Sequence, residues 1–170
     1  MNSANRIALT GFMGVGKSSV ARHLARKLGS VRIDLDAEIE KSEKRIIADL
    51  IESVGIAGFR LIEAENLERV LSISGDCVLS LGGGTWTIEQ NRERIIEAGF
   101  TCIWLESTFE HCWRNISSSR KDRPLARDKE SARRLFDERK EFYCLSDWHF
   151  VIKPGMNSSD VAKMIFEQIS

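Results

Sequence analysis

The sequence predicts an α/β fold in three layers, a parallel sheet covered on both faces by helices. Three observations carry the prediction. Short apolar segments (Ile7 to Leu9, Val31 to Leu35, Cys77 to Leu81, Cys102 to Leu105 and Phe150 to Ile152) alternate with segments of helical length, and no hairpin signal joins them. Parallel strands need such long crossovers, usually helical. A glycine-rich run sits directly after the first apolar segment. The prolines are only two, Pro124 and Pro154, so long helices are permitted.

In chain order, the first strand is Arg6 to Thr10. It runs into Gly11-Phe12-Met13-Gly14-Val15-Gly16-Lys17-Ser18, which fits G-x4-G-K-[ST], and a helical pattern follows at Val20, Leu24 and Leu28. In that context glycines let backbone N–H groups point inward around a phosphate chain, and the helix N-terminus adds partial positive charge. The pattern predicts a nucleotide-phosphate site built from Gly14, Val15, Gly16, Lys17, Ser18 and Ser19. Lys17 is expected on the β- and γ-phosphates and Ser18 on Mg²⁺.

The second strand ends in Asp34-Leu35-Asp36. A period of two puts Asp34 and Asp36 on one side, at the strand end where ligands of open α/β sheets bind. Asp34 is the candidate for the Mg²⁺ shell, through water, and Asp36 for orienting or deprotonating an acceptor hydroxyl. Asp36 also suits a helix N-cap with Glu38 in the first turn. Asp76 precedes its strand, at the wrong end. After the third strand, Gly82-Gly83-Gly84 either admits a ligand close to the backbone or makes a plain turn. The stretch from Ile116 to Lys129, rich in serine and charge, reads as a solvated loop or a mobile segment.

Arg139 stands among Leu135, Phe136, Phe142 and Tyr143 on an otherwise apolar helical face. A guanidinium there wants an anion. Arg60 follows Phe59, and Glu63 three positions on can hold it while leaving other donors free. Each arginine could instead snorkel with its stem buried. Together they predict a carboxylate-bearing acceptor, because the guanidinium fork matches that group. The C-terminal helix shows its period in Val161, Met164, Ile165 and Ile169.

With 170 residues the chain suits a single domain, 1–170. Lys plus Arg and Asp plus Glu each total 25, so no global basic field points to nucleic acid or an anionic membrane. No apolar run reaches the roughly 20 residues of a membrane helix. The start, Met1 to Arg6, has no apolar leader region. Cys77, Cys102, Cys112 and Cys144 match no metal or redox spacing, and read as reduced thiols, mostly core. His23, His111 and His149 form no recognisable set with them. Trp86, Trp104, Trp113 and Trp148 read as packing residues.

The P-loop, Asp34-Leu35-Asp36, Gly58-Phe59-Arg60-Leu61-Ile62-Glu63, Ser80-Leu81-Gly82-Gly83-Gly84, Asn91-Arg92, Arg123-Pro124-Leu125 and Arg139 with Tyr143, in this order, resemble the shikimate kinases over nearly the whole chain. The resemblance implies a five-stranded parallel sheet of the nucleoside-monophosphate-kinase type with a mobile lid, about 116–129, over ATP. It implies phosphoryl transfer to the 3-hydroxyl of shikimate, within aromatic amino acid biosynthesis, by a cytoplasmic monomer. Asp36, Arg60, Gly83 and Arg139 would hold shikimate, beside Gly82 and Gly84, and Arg123 would close on the transferring phosphoryl group. Thr85-Trp86 stands where the family has a small and an aliphatic residue, Ile56 replaces a usual Glu, Ala126 follows Arg-Pro-Leu, and Arg139 to Tyr143 lacks a usual proline. Trp86, next to the glycine turn, is expected near the acceptor pocket. Competing readings are a kinase for another hydroxy acid, a sugar acid or a nucleotide, and a non-catalytic binding protein, which the presence of Lys17, Ser18, Asp34 and Arg123 disfavours.

Overall fold

The computed structural model describes residues 5–170; 1–4, on which the leader-free reading partly rests, lie outside the described residues. The sheet has five parallel strands: β1 (Arg6–Thr10), β2 (Val31–Asp34), β3 (Cys77–Ser80), β4 (Thr101–Glu106) and β5 (Trp148–Val151), in the order β2-β3-β1-β4-β5. The helices are α1 (Lys17–Leu28), α2 (Leu35–Glu43), α3 (Ile47–Leu71), α4 (Glu89–Glu97), α5 (Phe109–Ser118), α6 (Lys129–Tyr143) and α7 (Ser158–Ile169), with a 3₁₀ turn at Thr85–Thr87.

Burial follows sheet position. All of β3 is buried, as are Ile7 to Thr10 and Cys102 to Leu105, because these three strands are covered on both faces. The edge strands β2 and β5 each bury a single residue, Ile33 and Phe150. Helices α1 and α7 pack on each other, as do α2 on α3 and α5 on α6. In α7 the buried face is Val161, Ala162 and Ile165, whereas Met164, expected on it, is exposed.

Two boundaries depart from expectation. Strand β2 stops at Asp34 and Leu35 already begins α2. Asp34, not Asp36, is the N-cap, its Oδ1 accepting from the Ala37 N–H at 3.1 Å. The cap hydrogen bond turns the chain one residue before the period-two pattern ends. The charged connection is also shorter than 116–129, since α5 runs to Ser118 and α6 starts at Lys129. Helix α3 is interrupted at Gly55, whose φ of 72° and ψ of 174° break the helical path. No helix among the described residues is long and apolar enough to cross a membrane.

Candidate active site

The carboxyl ends of β1, β2 and β3 open onto one cavity of about 870 Å³. At its floor the P-loop turns into α1 through Gly16, whose φ of 103° suits glycine. Helix α1 has neither a side-chain N-cap nor an acid in its first turn, so its N-terminal N–H groups are left to an anion. The loop is braced from α5, where Asn115 Nδ2 donates to the Gly14 carbonyl at 2.7 Å. Lys17 is buried and donates to the carbonyls of Gly11 at 2.7 Å and Phe12 at 3.2 Å. Burial lowers its pKa to about 8, against the opposing pull of Asp36.

At the end of β2, Ser18 Oγ donates to Asp34 Oδ2 at 2.5 Å. This pair of oxygens faces the cavity beside Lys17. Hard oxygen donors next to a phosphate site suit Mg²⁺, which keeps several waters and takes further ligands from phosphates. Asp36, in the first turn of α2, also lines the cavity. Burial raises its pKa, and Lys121, whose Nζ lies 3.9 Å from Oδ2, opposes the rise.

The third wall is the glycine turn with the two arginines. Arg60 Nη1 donates to Glu63 Oε1 at 2.7 Å, the i, i+3 pair expected from sequence. Arg139 is 6% exposed, and its Nη1 is buried without a hydrogen-bond partner. Burial pushes its pKa down. A buried guanidinium nitrogen without a partner is costly, and the Arg139 side chain lines the cavity, where an anionic ligand group would offset the cost of burying its charge. Tyr143, one turn on, donates its hydroxyl to the Gly83 carbonyl at 2.6 Å and ties α6 to the turn.

The glycine turn differs in its reason from the expectation. Each glycine makes room for one of the site's own side chains. A Cβ at Gly82 would lie 2.8 Å from Asp36 Oδ1, one at Gly83 2.9 Å from Arg139 Nη1, and one at Gly84 would overlap Arg60 Nη2. Over the cavity lies the 119–128 connection, contributing Arg120, Lys121, Asp122 and half-buried Arg123. Arg123 is pushed down in pKa by burial and pulled up by Asp36.

Of the residues singled out in sequence, Gly14, Gly16, Lys17, Ser18, Ser19, Asp34, Asp36, Arg60, Gly82, Gly83, Gly84, Arg123 and Arg139 all line this cavity. Val15 does not: its side chain is buried and its N–H donates to the Phe12 carbonyl at 3.2 Å. Trp86 does not either. It is fully buried behind the glycine turn, away from the cavity lining, because the 3₁₀ turn swings it into the core. Sequence reasoning missed Lys121 and the apolar wall of Ile47, Ile51 and Phe59. The spacing of Ile47 and Ile51 was the available signal for that wall.

Comparison with known proteins agrees with this geometry. A family model described as shikimate kinase matches residues 13–170. A shikimate kinase of Persephonella marina is 37% identical over 141 residues, 83% of this chain and 85% of that protein. One from Brucella canis is 33% identical over 162 residues, 94% of this chain and 80% of that protein. The structure of the Acinetobacter baumannii shikimate kinase in complex with shikimate superposes with a TM-score of 0.88 at 31% identity, over 98% of this chain and 93% of that one. With the P-loop, the acids and the paired arginines gathered in one cavity, and with relatives matched along nearly its full length, the chain belongs to the shikimate kinase family.

Proposed function

We propose that this protein transfers the γ-phosphoryl group of ATP to the 3-hydroxyl of shikimate, giving ADP and shikimate 3-phosphate. The observation that carries this reading is the buried guanidinium of Arg139, one nitrogen of which has no hydrogen-bond partner and whose side chain lines the same cavity as the P-loop. It supplies a carboxylate site within one cavity of a phosphate site. Family membership supports the choice of acceptor.

In this reading ATP supplies the phosphoryl group, and Ser18 and Asp34 would hold a Mg²⁺ ion that would supply charge neutralisation. Arg60 and Arg139 take the acceptor carboxylate as charge-assisted forks. Asp36 accepts the hydrogen bond of the 3-hydroxyl and takes its proton as the new oxygen–phosphorus bond forms and the bond from the γ-phosphorus to the bridging oxygen of the leaving ADP breaks. Lys17 gives up its backbone carbonyl partners for phosphate oxygens, and with Arg123 offsets the charge developing on the transferred group. The 119–128 connection serves as a lid that excludes water. A monomer suffices, since every side chain named comes from one chain, and ATP use suits a cytoplasmic enzyme.

ADP release measured with and without shikimate tests the reading. Shikimate-dependent release is expected, and release only with other hydroxy acids or nucleotides would overturn the acceptor. Lys17→Ala is expected to lower kcat by on the order of a thousandfold while remaining folded. Arg139→Ala is expected to raise the KM for shikimate by roughly thirty- to a hundredfold with little change in the KM for ATP.

A further inference from the structure

Thr85 directly follows the glycine turn, and nothing above assigns it a part in the reaction. Its side chain is fully buried, and its Oγ1 donates to Glu63 Oε2 at 3.0 Å. Glu63, 1% exposed, gives its other oxygen to Arg60 Nη1 at 2.7 Å. A hydroxyl and a guanidinium thus share one carboxylate that is out of water. Such a carboxylate is stable only when its oxygens are satisfied, and two donors on opposite oxygens fix its plane.

Both ends of this chain are anchored. The Thr85 N–H donates to the Gly82 carbonyl at 3.2 Å, and its own carbonyl accepts from Asn91 Nδ2 at 3.2 Å. Arg60 Cζ lies 5.4 Å from the centroid of the Phe59 ring. Its Nη2 lies against Gly84, where any Cβ would overlap it. With Nη1 taken by Glu63, the rest of the guanidinium edge is left to a ligand in the cavity that Arg60 lines.

We propose that Thr85 is a positioning residue for acceptor binding: acting through Glu63, it sets the orientation in which Arg60 presents its free donors to an acceptor carboxylate. The inference rests on the reading of Arg60 as a carboxylate ligand.

Thr85→Val tests it, because valine keeps the branched shape and removes only the hydroxyl. The KM for shikimate is expected to rise roughly tenfold, as for a lost hydrogen bond to a charged group, with kcat and the KM for ATP nearly unchanged. Thr85→Ser, which keeps the hydroxyl, is expected to restore most of the affinity. In an Arg60→Ala background the valine substitution is expected to add nothing further. An unchanged shikimate KM in Thr85→Val, an equal loss in the serine variant, or a full effect without Arg60 overturns the proposal alone. An unchanged shikimate KM in Arg60→Ala overturns the reading of Arg60 and this inference with it. Should Thr85→Val not fold, Thr85→Ala removes the same hydroxyl and is read by the same criteria.

Discussion

Asp36, Arg139 and Arg60 each fill the space that a methyl group would need at Gly82, Gly83 and Gly84. The backbone of Gly84, with φ of −103°, is ordinary, so room rather than conformational freedom demands glycine here. Gly84→Ala is therefore expected to leave the fold intact, because the displaced atoms are the end of a flexible side chain. It should raise the KM for shikimate by roughly ten- to a hundredfold through the displaced Arg60. Gly83→Ala should do so less, since its methyl group meets only Arg139 Nη1 at 2.9 Å. Steady-state kinetics with circular dichroism checks both, and an unchanged acceptor KM in Gly84→Ala contradicts the account. The sequence reveals the gathering of Lys17, Ser18, Asp34 and Arg139 at one cavity, because each stands in a local pattern. It conceals Thr85, whose partner lies 22 positions away, and it misleads on Trp86, because adjacency to a loop does not say which way a ring turns.

The strands are legible nearly to the residue because burial on both faces imposes unbroken apolar runs on β1, β3 and β4. The boundary between β2 and α2 is not, since Asp34 satisfies a strand period and a helix cap at once. Both sequence readings of Asp36, as a strand residue on the side of Asp34 and as the helix cap, give way to a place in the first turn of α2. The interruption of α3 was equally hidden, because apolar residues continue across it. At the far end of α1 from the site, Gly29 closes the helix with φ of 64°, and its N–H donates to the Arg26 carbonyl at 3.4 Å. A methyl group there would touch nothing within 4 Å, so Gly29→Ala isolates the backbone strain. It is expected to cost about 1 kcal/mol of stability, with Gly29→Asn costing less. Urea denaturation checks this, and kcat should stay at the wild-type value in both variants.

Across the whole molecule, alternation of strand and helix fixed parallel pairing, but not the order β2-β3-β1-β4-β5, which depends on how each crossover passes over the sheet. The cysteines report on that packing. Cys77, Cys102 and Cys112 are buried and Cys144 is exposed. Burial raises the pKa of all three buried thiols, that of Cys112 to about 11, which suppresses the reactive thiolate. A thiol-exchange reagent is expected to titrate one group in the native protein and all four in denaturant; rapid reaction of a second would show that the core around Cys77, Cys102 or Cys112 opens. The break at Gly55 separates two stretches of α3 with different tasks. The stretch before it carries Ile47 and Ile51 of the cavity wall, and the stretch after it carries Phe59 of that wall together with Arg60 and Glu63. On the proposed reading, Ile47 and Ile51 can therefore be exchanged without disturbing Arg60, and a designer seeking a new acceptor should diversify 47–54 and leave 56–71 alone.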